Sequence, residues 1–498
     1  MEIVATYVPA IGRDPATELA RPPEGAALVE LRADLLPAGL DLGTLVAASP
    51  VPVVVTLRSR AEGGEGPDDG ASRRRFFERA VALPAAFFDL EAARDAELLG
   101  RSVPAERTIL SAHWPSGVPA DLGAQARELL AGPARFVKLV PTARSLADLL
   151  EVLRLVVSLD RGPRAHRRAI VLAAGEAGRA TRLLGPLLAA PIAYAAWAAG
   201  RAAAAGQYTA DELRATVGHL RGRPQRLFAV LGNPVAASLS PRLHAAAYRE
   251  LGLPHLFVPI AVTDAAELGE LLAPAGESAL DSLGLPAGGF AVTMPWKEEA
   301  SRRCTVVAPR AQRARAVNTV LPRHGRLLGD CTDIDGVVRV LAEQGIELAG
   351  ARALVLGSGA AARAALVALE QVGASAAVAA RDAGRAEAIA REFGVACCAP
   401  ADVGAFRVVV NATPAGHGGL PEPLLDSLAL PAGAVAVDLP YGDAPTRLEE
   451  LAGERGWHYV SGREVLLFQG VAQFAAMTGS PPPVRAMARS LGLDEAQA

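Results

Sequence analysis

The chain has 498 residues, 51% hydrophobic and 21% charged, with 50 Lys and Arg against 53 Asp and Glu and a formal charge of −3. That length exceeds one ordinary core and predicts two to four domains of globular type, and the near-neutral balance excludes the basic footprint of a nucleic-acid-binding protein. The four cysteines, Cys304, Cys331, Cys397 and Cys398, form no CxxC pair and no disulfide framework, which fits a reducing cytoplasm.

The opening "MEIVATYVPAIG" lacks the basic and long apolar regions of a signal peptide. The Ala-rich stretch 191–205 is interrupted by Gly200 and Arg201 and is too short to span a bilayer. The expected partners are therefore small molecules, with neither nucleic acid nor membrane among them.

In chain order, residues 1 to about 220 repeat one phrase, a short apolar run and then a helical stretch. The runs are "EIVATYV", "ALVELRADLL", "VPVVVTLR", "AAFFDLEA", "RTILSAHW", "ARFVKLVP", "RAIVLAAG" and "PIAYAAW", with helices predicted at "RRRFFERAV" and "SLADLLEVLRLVV". Strands alternating with helices predict a parallel sheet. Eight such units predict a closed (β/α)8 TIM barrel at the compact end of the roughly 250 residues typical of that fold. An open doubly wound sheet is the alternative.

In a barrel, catalytic side chains project from the C-terminal strand ends. The polar residues of these runs lie there: Glu30 and Arg32, Arg58, Asp89 and Glu91, His113, and Lys138. Lys138, inside the apolar run 136–140, has two readings. It sits near a strand end and snorkels to water, or burial and nearby cations lower its pKa from about 10.4 to about 8, at roughly 3 kcal/mol, and make it a nucleophile. Arg32, Arg58 and Arg182 are the candidate cations. A neutral lysine facing a ketone forms an iminium, an electron sink for removal of an adjacent proton. His113, one strand earlier, is the candidate base.

The basic, Gly- and Pro-punctuated segment 219–226, "HLRGRPQR", reads as a linker. After it the rhythm restarts with "LFAVLGNPVAASLSPRLHAAAYRELG", and near residue 350 a strand–turn–helix begins at "ARALVLGSGAAARAALVALEQVG". There Gly357, Gly359 and Ala362 make a Gly-x-Gly-x-x-Ala turn that lets a pyrophosphate approach a helix N-terminus. Gly357, Ser358, Gly359, Ala360 and Ala361 are the expected cofactor-binding residues of this turn. Arg381, after the next strand, can stack on adenine and pair with a 2′-phosphate, with Arg385 in support or on a solvated helix face. Asp382 either caps the following helix or accepts from a ribose hydroxyl and favours NAD. The cap is preferred, and NADP (NADPH) is the expected cofactor. No His/Cys/Asp/Glu group has metal-ligand spacing.

On these residues the first half resembles the type I 3-dehydroquinate dehydratases. "ELRADLL" matches that family's Glu-x-Arg-x-Asp signature through Glu30, Arg32 and Asp34, and "VTLRSRAEGG" supplies Arg58 and Glu62. "SAHW" and "FVKLV" match the segments holding the catalytic histidine and the Schiff-base lysine, His113 and Lys138. "GRATRLLGP" puts Arg182 where the family binds the substrate carboxylate, and Gln207 falls in the last loop. The resemblance implies dehydration of 3-dehydroquinate to 3-dehydroshikimate, with Glu62 orienting or tuning His113. A departure is Ala203, where the family usually has serine.

The second half, about residues 226–490, is similar to shikimate dehydrogenases. "GNPVAASLSPRLH" supplies Ser238 and Ser240 for the substrate carboxylate, "AVTMPWKEEA" Thr293 and Lys297, "AVNTV" Asn318, and "GDCTDIDG" Thr332 and Asp333. "NATPAG" (Asn411 and Thr413) and "DLPY" (Asp438 and Tyr441) match nicotinamide-side loops, and "SGREVLLFQGVAQF" gives Gly462 and Gln469. The resemblance implies that a Lys297–Asp333 pair serves NADPH-dependent reduction of 3-dehydroshikimate to shikimate. Departures are Ala291 and Cys331, both at positions usually Asn, and His417 in place of a common methionine.

The expected organisation is a dehydratase barrel over 1–220, a substrate-binding domain over 226–330 with return helices at about 463–498, and a Rossmann-like NADP-binding domain over 331–462. Two rival readings are a Schiff-base aldolase fused to another NADP dehydrogenase and a non-catalytic ligand sensor on the same folds.

Overall fold

In the computed structural model, which describes residues 2–162, 167–398, 406–414 and 423–494, every apolar run of the first half folds as a strand. These are β1 (Glu2–Tyr7), β2 (Leu28–Arg32), β3 (Val53–Thr56), β4 (Phe87–Glu91), β5 (Thr108–Trp114), β6 (Phe136–Pro141), β7 (Ala169–Val171) and β8 (Ile192–Ala196). Helices cover one face and barrel packing the other, so the runs read as nearly continuous apolar stretches rather than alternating ones. All pair in parallel, in the order β7-β6-β5-β4-β3-β2-β1-β8. The order never reverses, and β8 returns to β1, which is the winding of a barrel and not of a doubly wound sheet. Closure is nearly complete: β7, only three residues long, has no ladder with β8 among the described residues.

Register places the polar strand residues together. Thr6 stands beside Glu30, Thr56 beside Asp89, and Glu91 beside Ser111, which in turn adjoins Lys138. Helix Leu146–Arg161 follows β6, with Ser145 as its N-cap, and buries Leu146, Leu149, Leu150 and Leu153 on one side.

The second half opens with a mixed sheet of β9 (Arg226–Gly232), β10 (His255–Ala261), β11 (Ala287–Val292), β12 (Val306–Val307), β13 (Thr319–Arg323) and β14 (Arg326–Asp330), in the order β10-β9-β11-β13-β14-β12. β13 and β14 form a hairpin whose two loop residues, His324 (φ 50) and Gly325 (φ 69), lie in the left-handed region that such tight turns require. A third, all-parallel sheet follows: β15 (Arg352–Leu356), β16 (Ser375–Ala379), β17 (Ala396–Cys397), β18 (Val408–Asn411), β19 (Val435–Asp438) and β20 (His458–Val460). Its order, β17-β16-β15-β18-β19-β20, reverses between β15 and β18, and ligands bind at such switch points. Helix Gly462–Thr478 then returns to pack on helix Asp333–Glu343 and on β11 and β13.

Residues 219–226 are more than a tether. Leu220 is buried, His219 Nε2 donates to the His255 carbonyl (2.9 Å), and Arg226 already belongs to β9. Glu267 of the second half accepts from the Leu146 main-chain N–H of the barrel (2.8 Å), and Arg223 pairs with Asp160 (2.7 Å). One apolar core runs through both halves, from Leu153 and Leu183 to Leu227 and Tyr248. No helix among the described residues is long and apolar enough to cross a membrane.

Candidate active sites

Lys138 is 3% exposed, so the snorkelling reading fails. Its Nζ lies 2.5 Å from Asp89 Oδ2, 3.4 Å from Glu30 Oε1 and 4.4 Å from the centre of the Tyr194 ring. Glu30 is held by the hydroxyls of Thr6 (2.8 Å) and Thr56 (2.9 Å). Burial would raise the Asp89 carboxyl, but Arg58 and Lys138 outweigh it and hold the group well below the usual range.

The expected surround of cations is thereby corrected. Arg32 makes a two-point contact with Asp34 (2.9 and 2.7 Å). Arg58 donates to Asp89 (2.7 Å), Glu91, Glu62 and Ser111 (each 3.1 Å). In a desolvated barrel a guanidinium gathers the nearest carboxylates, because each would otherwise be a buried unpaired charge. Arg182 differs. It is 4% exposed, pairs with no described carboxylate, has no partner for Nε, and is lowered to about 10 by burial. A cation so placed favours an incoming anion.

His113, at the end of β5, puts Nδ1 3.0 Å from Glu62 Oε2, and its main-chain N–H donates to the same oxygen at 3.0 Å. Burial, aided by the charges of Arg58 and Lys138, pushes the imidazole well below its usual value, so it is neutral. Burial and the neighbouring Glu91 and Asp89 raise Glu62 to about 7 against the pull of Arg58. Gln207 turns its carbonyl oxygen to the main-chain N–H groups of Ala203 (2.8 Å) and Ala204 (3.3 Å), bracing the last loop where a serine is missing. Sequence reasoning placed Asp89 and Glu91 among the charged strand ends at the barrel mouth but gave them no role, and it missed Ser111 and Tyr194. The signal available was the two acids within one buried run, "FFDLE".

In the second half Lys297 and Asp333 open their helices, Lys297–Arg303 and Asp333–Glu343, and meet at 2.6 Å. Burial would lower the Lys297 ammonium, yet Asp333 prevails and raises it above its ordinary value. Asn318 Nδ2 donates to Asp333 Oδ1 (2.8 Å), and Gln469 Nε2 donates to Thr332 Oγ1 (2.9 Å). Ser238, Ser240, Thr293, Asn318, Tyr441, Gly462 and Gln469 line one cavity of about 200 Å³ with this pair. Ala291 lines it without an amide, and Cys331 is buried with Sγ 3.9 Å from Asp333 Oδ2. Gln473 lines the cavity too and was missed. The signal was its position one helical turn after Gln469.

The glycine turn stands at the switch point. Gly357 has φ 121, and a Cβ there would come within 2.9 Å of the Ala412 carbonyl oxygen, so only glycine suits. Gly359 is the N-cap residue of helix Ala360–Gln371, directly after Ser358, and Ala361 of that helix reaches the Lys297 cavity. Asp382 accepts from the Arg385 N–H (3.0 Å) as N-cap of helix Ala383–Phe393, the preferred of its two readings, while Arg381 and Arg385 are exposed. Asn411 donates to Asp438 (2.7 Å) and accepts from the Thr413 N–H (3.1 Å), tying together the ends of β18 and β19. Asp438, raised to about 6 by burial, is thus engaged inside the sheet. Ala415, Gly416 and His417 lie outside the described residues. A larger cavity of about 1040 Å³ separates Arg179 and Tyr208 of the barrel from Ser238, Tyr441 and Arg463.

The type I 3-dehydroquinase family matches residues 13–223, and the shikimate dehydrogenase substrate binding domain matches residues 230–320. The shikimate dehydrogenase (NADP(+)) of Carboxydothermus hydrogenoformans is 32% identical over 279 residues, covering 54% of this chain and 97% of that protein. The chloroplastic bifunctional 3-dehydroquinate dehydratase/shikimate dehydrogenase of Arabidopsis thaliana is 28% identical over 492 residues, covering 92% of this chain and 79% of that protein. Among solved structures, the shikimate 5-dehydrogenase of Thermus thermophilus, in complex with NADP(H) and shikimate, is 36% identical over 54% of this chain and 99% of its own, with a TM-score of 0.48.

Proposed function

The chain belongs to the type I 3-dehydroquinase family in its first half and to the shikimate dehydrogenase family in its second, and we propose on that premise how its two sites act in succession. It is a bifunctional enzyme of the shikimate pathway that dehydrates 3-dehydroquinate to 3-dehydroshikimate and reduces that product to shikimate with NADPH. We assign the dehydratase to residues 1–220, the substrate-binding part of the dehydrogenase to 226–330 with the return helices from about 463, and the NADP-binding part to 331–462. The observation that carries the reading is a buried amine, Lys138, within one barrel mouth that also holds the His113–Glu62 pair.

In the barrel, Lys138 gives up a proton and its amine adds to the ring ketone; the resulting carbinolamine hydroxyl takes up a proton and leaves as water, forming an iminium. Asp89 and Glu30 stabilise that cation. Glu62 accepts from His113 Nδ1–H, which leaves Nε2 as the base that removes a proton from the neighbouring carbon. His113 returns the proton to the hydroxyl beyond, which departs as water, and hydrolysis of the iminium frees Lys138. The net change is loss of one water. Arg182 takes the substrate carboxylate, Gln207 closes over it, and Arg32 and Arg58 hold the acids in place.

In the cleft, Ser238 and Ser240 bind the carboxylate of the ketone, and Thr293, Asn318, Tyr441 and Gln469 flank its ring. The residues fit NADP: a glycine turn open to a pyrophosphate, Arg381 for a 2′-phosphate, and an Asp382 already engaged as a cap. Bound NADPH supplies the hydride. As the carbonyl oxygen gains charge, the Lys297 ammonium donates its proton there, and Asp333 holds the ammonium in place.

Borohydride reduction in the presence of 3-dehydroquinate tests the first site. Added mass on the peptide carrying Lys138 is expected, and an unmodified protein overturns it. Oxidation of NADPH in preference to NADH by added 3-dehydroshikimate tests the second, and equal use of both overturns the cofactor assignment.

A further inference from the structure

Helix Gly462–Thr478 is buried on nearly every side, so its polar side chains must find partners inside the fold. Gln473 is 1% exposed, with Nε2 3.2 Å from the Asn318 carbonyl oxygen and 2.8 Å from Thr319 Oγ1. A main-chain carbonyl can only accept, so the amide nitrogen is fixed on that side and Oε1 faces His244 Nε2, 3.2 Å away. His244 must therefore donate from Nε2. Its Nδ1 is buried without a partner, and the ring stacks on Phe257 with centroids 4.3 Å apart and an interplanar angle of 16°. Burial in this aromatic nest pushes the imidazole down to about 4, so it is neutral.

The donor sense then propagates. Thr319 Oγ1 accepts from Gln473 and donates to Asn318 Oδ1 (3.0 Å), which also accepts from the Thr332 N–H (2.8 Å). With Oδ1 occupied by donors, Asn318 Nδ2 is left to face Asp333 Oδ1 (2.8 Å), whose other oxygen holds Lys297 Nζ (2.6 Å). Reversing any one amide would set two donors against each other.

We propose that His244 and Gln473 are positioning residues for the reduction. The imidazole N–H holds the Gln473 amide in the sense that the Asn318 carbonyl fixes, and through Thr319 and Asn318 it steadies the Asp333 carboxylate that aims Lys297. This inference rests on the dehydrogenase reading of the second site and extends it two side chains deeper.

His244→Phe keeps the ring and its stacking but removes the donor. The expected result is a fall in kcat for 3-dehydroshikimate reduction of about 10- to 100-fold, with KM changed by less than about threefold. His244→Gln offers an amide nitrogen near the former Nε2 and restores most of kcat. Dehydration of 3-dehydroquinate by the same chain stays unchanged in both variants, which reports an intact fold. His244→Phe combined with Gln473→Met loses no more than the worse single variant, because both cut one chain of bonds. The proposal is overturned by full kcat in His244→Phe, by a His244→Gln no better than His244→Phe, by losses that multiply, or by loss of dehydration along with reduction. Failure of the unaltered protein to reduce 3-dehydroshikimate instead removes the functional reading itself.

Discussion

The barrel mouth and the dehydrogenase cleft both pair a lysine with an aspartate, yet they treat charge in opposite ways. In the barrel, Glu30, Arg58, Glu62, Asp89, Glu91 and Lys138 are each at most 8% exposed and packed together. Arg73 and Arg94 reinforce them from behind, at 3.4 and 3.5 Å from Glu91. In the cleft, Lys297 and Asp333 keep 15% and 22% side-chain exposure and are set among neutral amides and hydroxyls. Burial is the largest influence on the Glu62 carboxyl, and with Glu91 and Asp89 it raises the group to about 7 against the pull of Arg58. In the cleft Asp333 instead outweighs burial and raises the Lys297 ammonium. The barrel therefore stores a proton that can move near neutrality, whereas the cleft stores only an orientation.

The largest expected effect separates the two directly. Lys138→Met removes the amine and should cut dehydration by at least about 10⁴-fold, as loss of a covalent nucleophile does, while reduction of 3-dehydroshikimate continues. Loss of both activities in a folded variant would break the independence of the sites. Asp333→Asn should do the converse, lowering reduction by about 10²- to 10⁴-fold with dehydration intact, measured on the same protein sample.

Arg58→Met strips three buried carboxylates of their shared counter-ion. It should cost about 3–5 kcal/mol of stability, visible as a lowered midpoint in thermal or urea unfolding. No such penalty is expected for the partly exposed Lys297→Met, and equal penalties would erase the contrast drawn here.

The pH profiles sharpen it. As pH rises through about 7, Glu62 loses its proton and becomes the acceptor for His113 Nδ1–H, so kcat for dehydration should rise across that range. Glu62→Gln should flatten that limb, and reduction should lack it. Assays of both reactions from about pH 5 to about pH 9 decide the matter. The smallest effect belongs to the join. Glu267→Ala removes the acceptor at the first turn of helix Leu146–Arg161 and should cost about 1 kcal/mol, a small shift in unfolding midpoint with both activities retained.

Much of this protein can be read along the chain. The eight runs become eight strands because burial on both faces demands continuous apolar stretches, a local property. Gly357 is legible because its φ is one that few other residues adopt. Asp382 announces its cap through its place before a helical pattern. Lys138 stands out because lysine is rare inside such a run.

What the chain order could not state was which charges would meet. Residues 30, 58 and 62, 89 and 91, and 138 come from four separate segments of the sequence, and the barrel winding brings them together. Arg58 thus became the hub of three acids rather than a neighbour that activates Lys138. The same holds for His244 and Gln473, 229 residues apart and joined only when the return helix packs against helix Ser240–Glu250. Sequence determined the strands, the turns and the chemistry-bearing side chains, since these follow from near-neighbour sterics and hydropathy. Only the tertiary structure decided the partner of each charge and the sense of each amide, because electrostatics and hydrogen bonding act through space and take no account of separation along the chain.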